Sequence, residues 1–150
     1  MSLATDTIFI QAIQSNPTLM GYLSEGSEHP RLYGTAIPMP EEEADNTPVP
    51  YIIVTFDGLV NDVTDKDNPY ESDEDRVNIS VEVTAKTLTE LHGLTQTVRD
   101  TIYQYMMENV TDVDDYQMTA QAIQYDSLKP CYWQVLSYQC DTKRDIEYED

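Results

Sequence analysis

The stretch RVNISVEVTAKTLTELHGLTQTVRDTI, residues 76–102, holds both halves of an α+β fold side by side. Val77, Ile79, Val81 and Val83 alternate with Asn78, Ser80, Glu82 and Thr84. Successive side chains of a strand point to opposite faces, so this alternation predicts a half-buried strand. At Thr87 the period changes. Thr87 followed three residues later by Glu90 fits a capping box, in which the hydroxyl takes one free helical N–H and the carboxylate reaches back to another. The helix opened there carries Leu88, Leu91, Leu94 or Thr95, Val98, Ile102 and Tyr105 or Met106 at three- and four-residue spacing, which predicts a helix to about Glu108.

Working outward towards the N-terminus, Tyr51 to Phe56 (YIIVTF) is a β-branched, aromatic run expected to form a strand that Gly58 breaks. Arg31 to Ile37 (RLYGTAI) reads as a short strand. Thr5 or Asp6 can cap a first helix with Phe9, Ala12 and Ile13 on one face. Asn16-Pro17 reads as an N-cap with proline at the first helical position, opening a helical turn over Thr18–Ser24 that Gly26 ends. Beyond the long helix, Thr111 to Asp115 turns, Tyr116 to Tyr125 alternates as a strand, and Cys131 to Cys140 is the last strand. The expected fold is α+β: a mixed, mainly antiparallel sheet of about four to five strands, with an N-terminal helix and one long helix packed on one face.

Two segments contribute nothing to such a core. Pro38 to Pro50 holds four prolines and the run Glu41-Glu42-Glu43, and Asn61 to Asp75 is polar and acidic. Both are expected to be mobile loops, and the charged residues from Asp141 onward are expected to fray. One domain over residues 1–150 is the default at this length.

Charge separates the function classes. With 28 acidic and 8 basic residues, the net charge is −20. Phosphate contacts need clustered Lys and Arg, so no direct nucleic-acid affinity is expected, nor docking on anionic membrane. No segment approaches a membrane span, and Ile8 to Ile10 is too short for a secretory leader. Cys131 and Cys140 on one strand would stand about 30 Å apart, too far for a disulfide, and two free thiols fit a reducing cytosol. Tyrosine dominates the aromatics, with 11 Tyr against 2 Phe and 1 Trp. Its apolar body and polar tip suit surfaces that become buried when subunits meet.

The acidic cluster Asp62, Asp65, Asp67, Glu71, Asp73, Glu74 and Asp75 invites calcium, but an EF-hand loop starting at Asp65 puts Pro69 at its fifth position and Tyr70 where glycine is required. These seven residues are retained as a candidate interaction loop and not as a metal site. His29 and His92 have no ligand-spaced partners, and Glu90 and His92, two apart on a helix, point to different faces. No nucleophile elbow or Gly-rich phosphate loop occurs, and an acidic chain is a poor setting for an activated cysteine. No catalytic, metal-binding or cofactor-binding residue is therefore expected, and the chain reads as a non-enzyme.

Two stretches together resemble the phage tail terminator and tail-completion (head–tail joining) family. RLYGTAIPMPEEEADNTPVPYIIVTFDG, residues 31–58, is similar to that family's short "(I/L)Y" strand, proline-bearing loop and "PY(I/V)(I/V)" strand. These follow a helical segment of the form P-x-(L/M)-x-x-(L/Y), which Pro17 to Leu23 resembles. Residues 76–102 are similar to its "R-V-x-(I/V)-x-(V/I)-x-A-x-(T/S)" strand running into a helix ending "(A/T)-V-R-x-x-(I/L)". The acidic insertions at Glu41–Asp45 and Asp62–Asp75 depart from the pattern.

The resemblance implies a structural role: a ring, commonly hexameric, at the head-proximal end of a phage or prophage tail. Such a ring stops tail-tube polymerisation and presents a surface to the head connector. Its partners would be copies of itself, the tail-tube protein and the head-connector protein, in the host cytoplasm during assembly and in the virion tail afterwards. An acidic lumen would repel DNA phosphates and let the duplex slide. The competing class is an acidic DNA-mimic inhibitor of a DNA-binding protein, which explains the charge equally well.

Overall fold

The computed structural model describes residues 6–34, 48–62, 74–109 and 113–143. Three helices and six strands follow in the order α1 (Asp6–Gln14), α2 (Pro17–Leu23), β1 (Leu32–Tyr33), β2 (Tyr51–Asp62), β3 (Glu74–Ala85), α3 (Leu88–Asn109), β4 (Val113–Ala120), β5 (Gln124–Asp126) and β6 (Cys131–Lys143). The strands form one sheet in the order β1-β2-β3-β6-β4, with β5 also paired to β6. Only β1 with β2 is parallel; the other pairs are antiparallel. The fold is α+β, as expected.

The alternation in β3 does what its pattern requires. Val77, Ile79, Val81, Val83 and Ala85 are buried against the helices, and each such valine contributes roughly 1.5–3 kcal/mol. Their register partners Ile52 and Val54 on β2, and Leu136, Tyr138 and Cys140 on β6, extend the same apolar surface. α3 covers it with Leu91, Leu94, Thr95, Val98, Ile102 and Met106, and α1 adds Phe9, Ala12 and Ile13. The Phe9 and Tyr138 rings meet at 5.1 Å between centroids and close the core between α1 and the sheet. Leu88, expected to face inward, is 43% exposed because it precedes the first turn that reaches the sheet.

The caps form as their residues predict. Asn16 Oδ1 accepts from the Leu19 N–H at 3.1 Å with Pro17 at the first helical position, while Asn16 Nδ2 donates to Thr101 Oγ1 at 3.0 Å and ties α2 to α3. Thr87 Oγ1 accepts from the Glu90 N–H at 3.1 Å. Glu90 Oε1 reaches back one residue further than a standard box, accepting from the Lys86 N–H at 3.0 Å.

Strand lengths depart from expectation in instructive ways. Gly58 does not break β2. Phe56 pairs with Ile79 and Gly58 with Asn78, so one extra residue bulges at Asp57 and the strand continues to Asp62. Gly58 sits at φ +153°, where a side chain would be strained. The stretch expected as one strand over Tyr116–Tyr125 is two. From Ala120 to Gln124 the chain advances four residues while its partner retreats three, from Leu136 to Trp133, and this one-residue slip flips the side chains of β5 relative to β4. The expected Arg31–Ile37 strand forms over Leu32–Tyr33. The expected Asn61–Asp75 loop loses four residues to the hairpin, where Asn61 pairs with Asp75 and Asp62 with Glu74. Asp141 to Lys143, expected to fray, pair with β3. Residues 35–47, 63–73 and 144–150 lie outside the described residues, and with them most of both expected mobile loops.

Candidate interaction surface

Among the described residues, helices cover one side of the sheet and no helix covers the other. Every second residue of β2, β3 and β6 points there, and the register aligns them in rows. The first row is Tyr51, Thr84 and Trp133, with Gln124 of β5 beyond. The second is Ile53, Glu82 and Val135. The third is Thr55, Ser80, Ser137 and Thr119. The face thus grades from aromatic and aliphatic at one end to hydroxyl and amide at the other.

At the aromatic end lies a groove of about 430 Å³ whose walls include Tyr51, Glu82, Thr84, Cys131 and Trp133. Its rim is the turn after β5, held by Asp126 Oδ1, which accepts from the Leu128 N–H at 3.0 Å and the Lys129 N–H at 3.3 Å. The Lys129 ammonium sits 5.2 Å from the Tyr51 ring centroid, a cation–π contact. Glu82, half-buried with Ile53 on one side and Val135 on the other, has its carboxyl pushed above the usual range by desolvation. Burial, then the Asp126 carboxylate, pushes the Cys131 thiol up, and the opposing pull of Lys129 does not cancel this. Burial also raises the Tyr51 phenol while Thr84 opposes the shift. Thr84 Oγ1 is buried without a hydrogen-bond partner among the described residues.

The polar end is quieter. Ser80 Oγ donates to Asp57 Oδ2, and Gln121 Nε2 donates to Ser137 Oγ at 2.8 Å. A larger cavity of about 550 Å³ lies on the helical side between α2 and the start of α3. Its carboxylate, Glu90, is already engaged by the Lys86 N–H and the Tyr22 hydroxyl.

The residues singled out by sequence divide sharply. Asp62 and Glu74 face one another as the last pair of the β2–β3 hairpin, with Asp75 in the next pair. Asp65, Asp67, Glu71 and Asp73 fall outside the described residues. Among the described residues no three His, Cys, Asp or Glu gather where a metal ion could be held. His29 and His92 are both exposed. Cys131 and Cys140 are buried and not joined in a disulfide, and they lie on different faces: Cys140 belongs to the core and Cys131 to the groove. Sequence reasoning missed Glu82, whose position on the outward side of β3 was legible but whose apolar neighbours on β2 and β6 were not. No helix among the described residues is long and apolar enough to cross a membrane.

Comparison of the chain with protein-family models and with curated proteins returns no match.

Proposed function

We propose that the chain is a structural subunit of a phage or prophage tail, which assembles with copies of itself into a ring that ends tail-tube polymerisation and joins tail to head. The observation that carries this reading is that, among the described residues, helices cover only one side of the sheet. Its open face presents Tyr51, Ile53, Trp133 and Val135, all half-buried, around a carboxylate with apolar neighbours. An antiparallel sheet that met only water there would carry polar residues throughout. The resemblance adds support, because its motif residues occupy successive elements: Pro17–Leu23 is α2, Leu32–Tyr33 is β1, Tyr51 opens β2, and residues 76–102 span β3 and α3.

Salt tests the proposal. Subunits of charge −20 repel, and the screening length falls from about 30 Å at 0.01 M to about 8 Å at 0.15 M. Apolar and tyrosine contacts lose nothing to salt, so sedimentation velocity should show a larger species as salt and protein concentration rise. A DNA mimic behaves oppositely towards its target, since its complex with a basic protein weakens as salt rises. A chain that stays monomeric at every salt and concentration, yet binds a basic DNA-binding protein tightly at low salt, would sink the tail reading in favour of the mimic.

A further inference from the structure

We infer that a second copy of this chain lays the outer face of its α3 on the open sheet face, setting Arg99 of one copy against Glu82 of the next. The inference rests on the self-assembly reading above and names the surfaces that meet.

No ion pair is recorded for Glu82 or Arg99 among the described residues. Glu82 has apolar neighbours in its own row, with Tyr51, Thr84 and Trp133 in the row to one side and Thr55, Ser80 and Ser137 in the row to the other; Lys129 lines the same groove, its ammonium over the Tyr51 ring. A half-buried carboxylate left unpaired costs stability that a docking cation recovers. Arg99 lies exposed on α3. It is one of only 8 basic residues in the chain, and the guanidinium of another, Arg31, is already committed internally. A guanidinium suits the groove because its plane stacks on aromatic rings while its fork of donors meets a carboxylate.

The apolar parts match as well. Tyr103 and Met107 follow Arg99 at four-residue steps along α3, and they are 56% and 70% exposed. That stripe can cover Ile53, Val135 and Trp133 while Arg99 reaches Glu82. Within one chain the contact is impossible, since α3 packs on the opposite side of the sheet from Glu82. Between copies it joins two different surfaces, and head-to-tail contacts of that kind generate rings when the rotation closes.

The test is charge reversal read by sedimentation velocity at 0.15 M salt across a concentration series. Glu82→Arg alone and Arg99→Glu alone should each raise the concentration needed for assembly by about thirtyfold or more. The two changes in one chain should restore it, and mixing the two single variants should restore it too, because each then offers the surface the other needs. Circular dichroism melts confirm that each variant is folded. If Glu82→Arg does not fold, Glu82→Gln and Arg99→Gln carry the comparison: each single change weakens assembly, and the double is no worse than either. Assembly of the single variants at the wild-type concentration would overturn these surfaces while leaving the ring reading in place. A wild-type chain monomeric under all conditions would overturn both.

Discussion

Arg31 offers the sharpest test of how the fold is held. It is only 3% exposed, and among the described residues its side chain bonds to two carbonyls and a hydroxyl, not to a carboxylate. Its Nε donates to Pro50 O at 2.8 Å, and its Nη1 donates to Glu25 O at 2.6 Å and Ser27 Oγ at 2.7 Å. The Arg31 N–H also donates to Leu23 O at 3.0 Å, and Arg31 O accepts from the Ile52 N–H at 3.0 Å. One residue, through backbone and side chain together, therefore gathers the end of α2, the turn after it and the start of β2. Replacing it with methionine keeps most of the apolar stem and removes all three side-chain bonds. Bonds from a charged donor contribute about 1.5–3 kcal/mol each, and part of that total is offset because the guanidinium no longer has to leave water. What remains is mainly the penalty of stranding Pro50 O and Glu25 O, about 1–3 kcal/mol apiece. Arg31→Met should thus destabilise by about 3 kcal/mol, which lowers the melting temperature by roughly 6–12 °C for a domain of this size. Arg31→Lys keeps the charge but not the fork, and should fall between the two. Urea midpoints at low protein concentration give the measurement free of assembly effects. A loss below about 1 kcal/mol for Arg31→Met would refute the reasoning, since stranded acceptors cannot cost so little if Arg31 alone satisfies them.

Gly34 and Tyr22 supply two further tests. A Cβ at Gly34 would lie 2.4 Å from Ile10 Cδ1 and 3.3 Å from Val54 O, and Ile10 is itself buried. Gly34→Ala should therefore destabilise by about 1–3 kcal/mol in a urea melt, and a neutral or stabilising outcome would show that Ile10 repacks freely. The Tyr22 phenol is pushed up to about 12, first by burial and then by its hydrogen bond to Glu90. A raised value favours the neutral phenol in the fold, so its contribution is complete below about pH 10 and is lost as pH climbs through about 12. In carbon-detected NMR titrations Tyr22 should ionise near pH 12, well above the usual tyrosine range, and Glu90→Gln should bring it down. Ionisation of Tyr22 near pH 10 would count against the Tyr22–Glu90 contact.

What sequence reading could see depended on how far along the chain the deciding contacts lay. β3, α3 and the Asn16–Pro17 start of α2 were legible because alternation, heptad-like spacing and caps act within a few residues. Gly58 read as a break because a glycine in a strand signals either an end or a bulge, and only the pairing of Phe56 and Gly58 against β3 decides between them. The slip between β4 and β5 has no such marker: Gln121 to Ile123 contain neither Gly nor Pro, and Gln121 still donates its N–H to Val135 O at 2.9 Å. Arg31 looked like the polar start of a strand. Its burial depends on carbonyls at Glu25 and Pro50, to either side of it in the chain. Glu82 was missed for the same reason, because its setting is assembled from Ile53 and Val135, which no local pattern connects.

The place of β6 in the sheet bears on how the protein is made. It is central, pairing with β3 along one edge and with β4 and β5 along the other, yet it is synthesised after all of them. At about 5–20 residues per second, a ribosome needs on the order of 10 s to travel from the start of β1 to the end of β6. Sheet-rich domains close in milliseconds to seconds, so closure waits on translation and not on the search for the native pairing. During that interval β3 has only the β2 hairpin beside it, and its second edge is open to any neighbouring strand. The heavy negative charge then has a use before the fold exists: nascent chains on adjacent ribosomes repel one another through the seconds when their unpaired strands are most apt to combine.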